Sequence, residues 1–293
     1  MTSGLLVLNK PTGITSRQAV DLVVRVTGER KAGHAGTLDP LASGVLVVAI
    51  GQATRLIEYV QQMPKHYEAT FLLGRSSPTD DIEGPVTELP ASPQPTADHL
   101  AEAAKQLTGQ IFQRPPAYSA VKIGGHRAYH LARRGCNIDP APRPVVVYRL
   151  ELVAYQYPEL RLAVECGAGT YVRALGRDLA EKVGTAAVMS ALVRTRIGPF
   201  SLAEAVDPQT LSTDTWRQHV VSMRRAVEHL PQITVTPDDA ERLRQGQPLS
   251  NRWDHPVARN TPWAAFDLQG NLVAIVAPQE PNRLAPVRTF SGQ

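Results

Sequence analysis

Apolar and polar positions follow two periods along this chain, and each change of period marks an element. Leu5–Asn9 is a short apolar run and predicts a buried strand. Ser16 then precedes Ala19, Leu22, Val23 and Val26, spaced i, i+3, i+4, i+7. That spacing predicts a helix capped at Ser16 and stopped near Gly28. Val45–Ile50, continuous and rich in β-branched residues, predicts a second buried strand, and Tyr67–Leu73 a third. Three prolines in Leu89–Thr96 mark a connection. Thr96 caps a helix that places Leu100, Ala103, Ala104 and Leu107 on one face and ends at Gly109. Residues 144–155 and 160–166 predict paired strands around a turn at Pro158. Thr170 is the expected N-cap of a helix with Val172, Leu175, Leu179 and Val183 inward and Gly184 as its stop. A short helix over Ala186–Leu192 and a strand to Phe200 follow. Beyond Pro231, Thr236-Pro237-Asp238-Asp239 opens another helix ending near Gly246, and Ala264–Val276 forms a hairpin turning at Gln269-Gly270-Asn271.

Composition narrows the class. At 293 residues, 43% hydrophobic and 20% charged, the chain has enough apolar mass for about two globular domains. The unbroken apolar run Val45–Ile50 is far short of the roughly 18 residues of a membrane span. The start of the chain has no basic region of a signal peptide. Cys136 and Cys166 have no CxxC spacing, which suits free thiols in a cytoplasm.

Charge changes the picture more. The net charge is +4, yet residues 110–150 carry seven cations against Asp139 alone, interleaved with Tyr118, His126, Tyr129 and His130. Cations among rings suit an RNA backbone and unstacked bases, although a solvated basic face has the same composition. Residues 75–109, with six acids against two cations, are expected to face away from any polyanion.

Zinc, P-loop and dinucleotide signatures are absent from the sequence. Two segments remain. Gly33-His34-Ala35-Gly36-Thr37-Leu38-Asp39-Pro40-Leu41-Ala42-Ser43-Gly44 lies between a helix and a buried strand, and Pro40 holds Asp39 extended. Asp39 is either a presented carboxylate or a turn cap. In Cys166-Gly167-Ala168-Gly169-Thr170-Tyr171-Val172-Arg173, a cation stands in a helix's first turn, where the dipole disfavours it. A carboxylate opposite Arg173 would explain it; an exposed arginine is the plainer reading. Arg177 and Glu181, at i, i+4, are expected to form a surface pair.

With these segments in view, the sequence resembles the TruB family of pseudouridine synthases. The resemblance runs in order through Leu8–Ser16, the Gly33–Gly44 loop, Lys65-His66-Tyr67-Glu68-Ala69, Arg114–Lys122 with Gly125–Gly135, Gly169–Leu175 and Leu192–Phe200. It implies an α/β (α+β) pseudouridine synthase fold over residues 1–228. A mixed, mainly antiparallel sheet with flanking helices would carry an RNA-gripping insertion at about 110–145. A small PUA-like β domain would occupy 229–293. The implied reaction converts uridine 55 in the T-loop of tRNA to pseudouridine, with Asp39 as the catalytic aspartate, Arg173 its partner and Tyr67 packed on the target base. His34, Tyr171, Leu192, Lys10, Arg127, Arg133 and Arg134 are the implied substrate contacts. No cofactor, metal or obligate protein partner is implied; a cytoplasmic monomer is expected.

Two departures stand out. Gly167 and Ala168 occupy positions where the family usually has serine and lysine, which implies a lost backbone contact. Six arginines balance six acids in 229–293, so an electrostatic RNA role for that tail is not expected. The alternatives are a non-catalytic RNA-binding protein or tRNA-folding chaperone, in which Asp39 is structural, and a relative that depends on guide RNA and protein partners.

Overall fold

The computed structural model describes residues 2–119, 121–136, 138–253, 261–280 and 283–291; the side chains of Lys122, Ile123, Arg127, Arg133 and Glu280 lie outside that description. The β-branched runs become strands of one large sheet: β1 (Gly4–Lys10), β2 (Ala32–His34), β3 (Ser43–Ile50), β4 (Lys65–Leu73), β5 (Gly109–Gln113), β6 (Arg143–Gln156), β7 (Glu159–Cys166), β8 (Ala187–Ile197), β9 (Phe200–Ser201) and β10 (Val220–Val221). Their order is β10-β1-β3-β8-β4-β7-β6-β5, with β2 added to β3 and β9 to β8. The pairings are antiparallel except where Val193 and Arg194 of β8 run parallel beside Ser43 and Gly44 of β3. That parallel contact joins the two halves of the sheet, and the functional loop enters β3 there.

Helices cover the sheet where the apolar spacing said they would. Helix α1 (Ser16–Thr27) buries Ala19, Val20 and Val23 against Leu6, Leu8, Leu46 and Val48. Its N-cap is Thr15, not Ser16: the Thr15 hydroxyl accepts from the Gln18 N–H and Gln18 reaches back, closing a capping box. Ser16 is thereby freed for a contact described below. Gly28 ends the helix at φ 71°. After α2 (Ile57–Gln62), helices α3 (Ala97–Gln106) and α5 (Val172–Lys182) bury Leu100, Ala103, Leu175 and Leu179 over β4, β6 and β7. The expected cap Thr170 lies one residue before the cap position of α5, which Tyr171 occupies without a side-chain cap. Gln113 serves that end instead, accepting from the Tyr171 N–H at 2.8 Å and donating to its carbonyl at 3.1 Å.

The helix expected over Ala186–Leu192 is the first half of strand β8. It lies between β3 and β4, with Ala187, Val188 and Met189 all buried. A run of helix-forming residues is extended here because sheet neighbours supply its hydrogen bonds, and periodicity cannot distinguish the cases over seven residues.

The chain's end forms a second, five-stranded sheet: β11 (Gln232–Thr234), β12 (Leu249–Ser250), β13 (Trp263–Phe266), β14 (Leu272–Glu280) and β15 (Arg283–Thr289), ordered β11-β13-β14-β15-β12. Thr236 caps α6 (Pro237–Arg244) over it. Ile233, Leu243, Trp263 and Val273 form its own core, while Phe266, Leu272, Ile275 and Phe290 pack on Leu5, Val7 and Leu56 of the first unit. Among the described residues no helix is long and apolar enough to cross a membrane.

Candidate functional site

The loop from Ala35 to Ala42 is tied down along its length. The buried Ser16 hydroxyl accepts from the Leu38 N–H at 2.8 Å and donates to the Leu38 carbonyl at 3.0 Å. The Gly13 N–H reaches the Pro40 carbonyl at 2.8 Å, and Ala42 N–H reaches the Asp39 carbonyl at 3.0 Å. Beneath the loop, Arg194 of β8, 1% exposed, donates to the carbonyls of Val45 (2.7 Å), Gly36 (3.0 Å) and Thr37 (3.4 Å). Lys10 is fully buried, and its ammonium donates to the carbonyls of Pro11 and Ile14. Its place is thus under the loop rather than on an exposed wall, and burial pushes its pKa down to about 8 against the pull of Asp39.

Asp39, held on this frame, leaves 36% of its side chain open and meets Arg173 at 3.1 Å. Arg173 is 6% exposed, the second residue of α5, where the helix dipole opposes a cation. Four acceptors offset that position: Asp39, Asp81 at 3.1 Å, the Thr79 carbonyl at 2.6 Å and the Tyr118 carbonyl at 3.1 Å. The carboxylate opposite Arg173 is therefore present twice over.

Asp81 overturns one expectation. The acidic stretch after Gly74 does not face away: Thr79, Asp81, Glu83 and Pro85 form a wall of the site. Asp81 also accepts from the Thr79 hydroxyl (2.6 Å) and the Glu83 N–H (3.1 Å). Arg177 likewise does not pair with Glu181 on the surface. It bonds Asp80 and Asp178, both at 2.8 Å, and the Arg114 carbonyl, so it anchors the acidic turn to α5.

Tyr67 on β4 lies opposite Arg194 of β8, half-buried against the apolar cluster that holds Leu38, Ala42 and Leu192. Burial raises the phenol above its ordinary pKa while Arg194 pulls the other way. The ring is thus a neutral packing surface at physiological pH. Leu192, two residues before Arg194, shares its face of β8. Tyr171 sits half-buried with the Arg143 guanidinium 5.1 Å from its ring centroid. Arg143 also donates to the Gly169 carbonyl.

A pocket of about 750 Å³ opens beside the loop, lined by His34, Leu38, Asp81, Tyr118, Tyr129 and Arg173 among others. That volume is within the usual ligand range of about 300–1,000 Å³. Burial and the nearby Arg194 lower the His34 pKa, so a neutral imidazole faces the pocket. Among the described residues no three His, Cys, Asp or Glu side chains converge on a possible metal position.

The basic insertion closes the far wall. Residues Lys122–Ile123 and His126–Arg127 form a two-stranded ladder before α4 (Ala128–Arg133). The rings of Tyr129 and His130 lie 4.1 Å apart. Arg134 is exposed, Arg114 pairs with Asp139 at 3.0 Å, and the side chains of Arg127 and Arg133 fall outside the described residues. Sequence reasoning missed Asp81 and Arg194. Arg194 carried one signal: two residues beyond Leu192 in a strand, it had to share that residue's inward face.

Residues 24–172 match the profile of the TruB family pseudouridylate synthase N-terminal domain. A "tRNA pseudouridine synthase B" of Sinorhizobium medicae is 40% identical, the match covering 99% of this chain and 96% of the relative. One of the same name from Dehalococcoides mccartyi is 36% identical over 99% and 97%. Among solved structures, a Cbf5–Nop10–Gar1 complex contains a chain with TM-score 0.77 and 26% identity, covering 98% of this chain and 84% of that one. The chain in an archaeal box H/ACA Nop10–Cbf5 complex gives 0.76 and 25%, over 98% and 86%.

Proposed function

The chain belongs to the TruB family of pseudouridylate synthases, and from that premise we propose that it modifies tRNA, converting uridine 55 of the T-loop to pseudouridine. The observation that carries the reading is Asp39, presented from a braced loop 3.1 Å from the buried Arg173 at the pocket. The full-length similarity to relatives named tRNA pseudouridine synthase B supports tRNA as the substrate. The basic insertion supports its recognition without a protein partner.

The chemistry follows from the groups present. The target uridine leaves the stack at a cost of a few kcal/mol, offset by phosphate contacts and stacking. Arg134, Arg127 and Arg133 serve the phosphates, and His34, Tyr171 and Tyr67 offer rings to the flipped nucleotide, with Leu192 beside the base. Lys10 holds the turn after β1 through the carbonyls of Pro11 and Ile14. The Asp39 carboxylate attacks uracil C6 or ribose C1′, with Arg173 aiming it. The N1–C1′ bond breaks, the uracil turns, a C5–C1′ bond forms, and the bond to Asp39 breaks to return the free carboxylate. C5 loses a proton and N1 gains one, so substrate and product are isomers and nothing is consumed. The base must not escape between these steps, which requires a closed pocket. The acidic wall and the insertion both line the pocket and suit that need. In the same reading, residues 1–228 are the catalytic domain, 229–293 are a PUA-like domain, and the protein is a cytoplasmic monomer.

Mapping pseudouridine in an unmodified tRNA incubated with the chain tests the reading. Modification at position 55 alone is expected; modification only at another nucleotide rejects the assigned site.

A further inference from the structure

We propose that Arg194 is a positioning residue of the reaction: one buried guanidinium sets both ends of the loop that carries Asp39. The inference rests on the pseudouridine synthase reading above. Arg194 grips the loop's near end through the carbonyls of Gly36 and Thr37, and its far end through that of Val45. Its own backbone runs parallel beside Gly44 in the β8–β3 pairing. That approach is so close that a Cβ at Gly44, where φ is +101°, would lie 2.3 Å from the Arg194 carbonyl oxygen. Asp39 lies between the two gripped ends. Across the sheet, Arg194 is in register with Tyr67.

Stability alone does not account for this residue. Arg194 is 1% exposed, and among the described residues no carboxylate pairs with it. A buried cation without a counter-ion is expensive, and an apolar side chain of similar size often serves a core as well or better. The charge also disturbs its surroundings, lowering the pKa of His34 and of Lys65. What the guanidinium supplies is geometry: a planar fork of donors that reaches several acceptors at fixed angles. Those acceptors are the carbonyls on either side of Asp39. Arg173 aims the carboxylate from above; Arg194 fixes the backbone below it.

The test compares wild type, Arg194→Lys and Arg194→Met by single-turnover tritium release from tRNA labelled at uridine C5, with tRNA affinity and thermal melting measured on the same preparations. The expected result for Arg194→Met is a rate at least about 100-fold lower, the scale of a misplacement of about 1 Å, with affinity nearly unchanged. Arg194→Lys keeps the charge but cannot span the three carbonyls, so its rate falls in between. A folded Arg194→Met with the wild-type rate overturns the proposal, as does a rate loss matched by an equal loss of affinity. If Arg194→Met does not fold, Arg194→Lys decides: a folded lysine variant at the wild-type rate overturns the proposal, and a slowed one with intact affinity upholds it. A wild-type chain that binds tRNA yet releases no tritium refutes the proposed function itself, a result distinct from any of these.

Discussion

Removing the Asp81 carboxylate tests how the site is held together. In Asp81→Ala, Arg173 loses a partner at 3.1 Å in a setting where both side chains are nearly inaccessible, 6% and 3% exposed. The Thr79 hydroxyl and the Glu83 N–H lose their shared acceptor as well. Breaking a buried ion pair from one side costs about 3–5 kcal/mol, because the remaining charge cannot return to water. Arg173 keeps Asp39 and two backbone carbonyls, which places the loss near the lower end, about 3 kcal/mol. For a chain of this size that is a fall in melting temperature of about 6 °C. Activity falls by a comparable free energy, because Arg173 is free to tilt and Asp39 turns with it. A displacement of about 1 Å at the reacting group is worth roughly 100-fold in rate. Asp81→Asn keeps an acceptor and loses the charge, so it falls between. Calorimetry and single-turnover tritium release measure the two effects. An Asp81→Ala protein with unchanged melting temperature and unchanged rate refutes the reasoning that Asp81 supports the catalytic pair.

Other outcomes follow from the same structure. Gly44→Ala forces a side chain against the Arg194 backbone at a positive φ, and is expected to cost at least about 3 kcal/mol in urea unfolding. Burial pushes Lys10 and Lys65 from 10.5 to about 8, so between about pH 8 and 10.5 the unfolded chain binds more protons than the folded one. Their burial cost is full below pH 8 and relieved above it; stability from these groups therefore rises across that window, and Lys65→Met flattens the rise seen in urea titrations at pH 8, 9 and 10. Affinity for tRNA is expected to fall about 100-fold between 50 and 200 mM salt, the slope of roughly four phosphate contacts; a flat response in filter binding removes the role given to the basic insertion.

The strands that position the site were legible as short apolar runs, of which Val45–Ile50 is continuous and rich in β-branched residues. Leu5–Asn9, Val45–Ile50 and Tyr67–Leu73 lie where the pattern placed them. Asp39 and Arg173 could be singled out from oddities of local chemistry: a carboxylate fixed before proline, and a cation where a helix dipole opposes it. The ion pair between them spans 134 positions and came from the family resemblance, not from either oddity. Ala186–Leu192 misled because helix-forming residues in a short run do not reveal that β4 pairs with them from Ala187 to Leu192. The acidic segment misled because net charge treats every carboxylate as solvated, whereas Asp81 is buried on an arginine 92 positions away. Alternation from Leu192 would turn Arg194 and Arg196 in Val-Arg-Thr-Arg-Ile to one face; the register shift between them against β4 separates the buried one from the exposed one.

The central claim is that this chain isomerises a uridine of tRNA through the Asp39 carboxylate. Tritium release from an unmodified tRNA transcript labelled at uridine C5, measured with wild type and Asp39→Asn side by side, tests it most directly. The account predicts release by the wild type and none by Asp39→Asn, with both binding the tRNA. Equal release by the two proteins, or binding without release by the wild type, would contradict it and return Asp39 to the role of a turn residue.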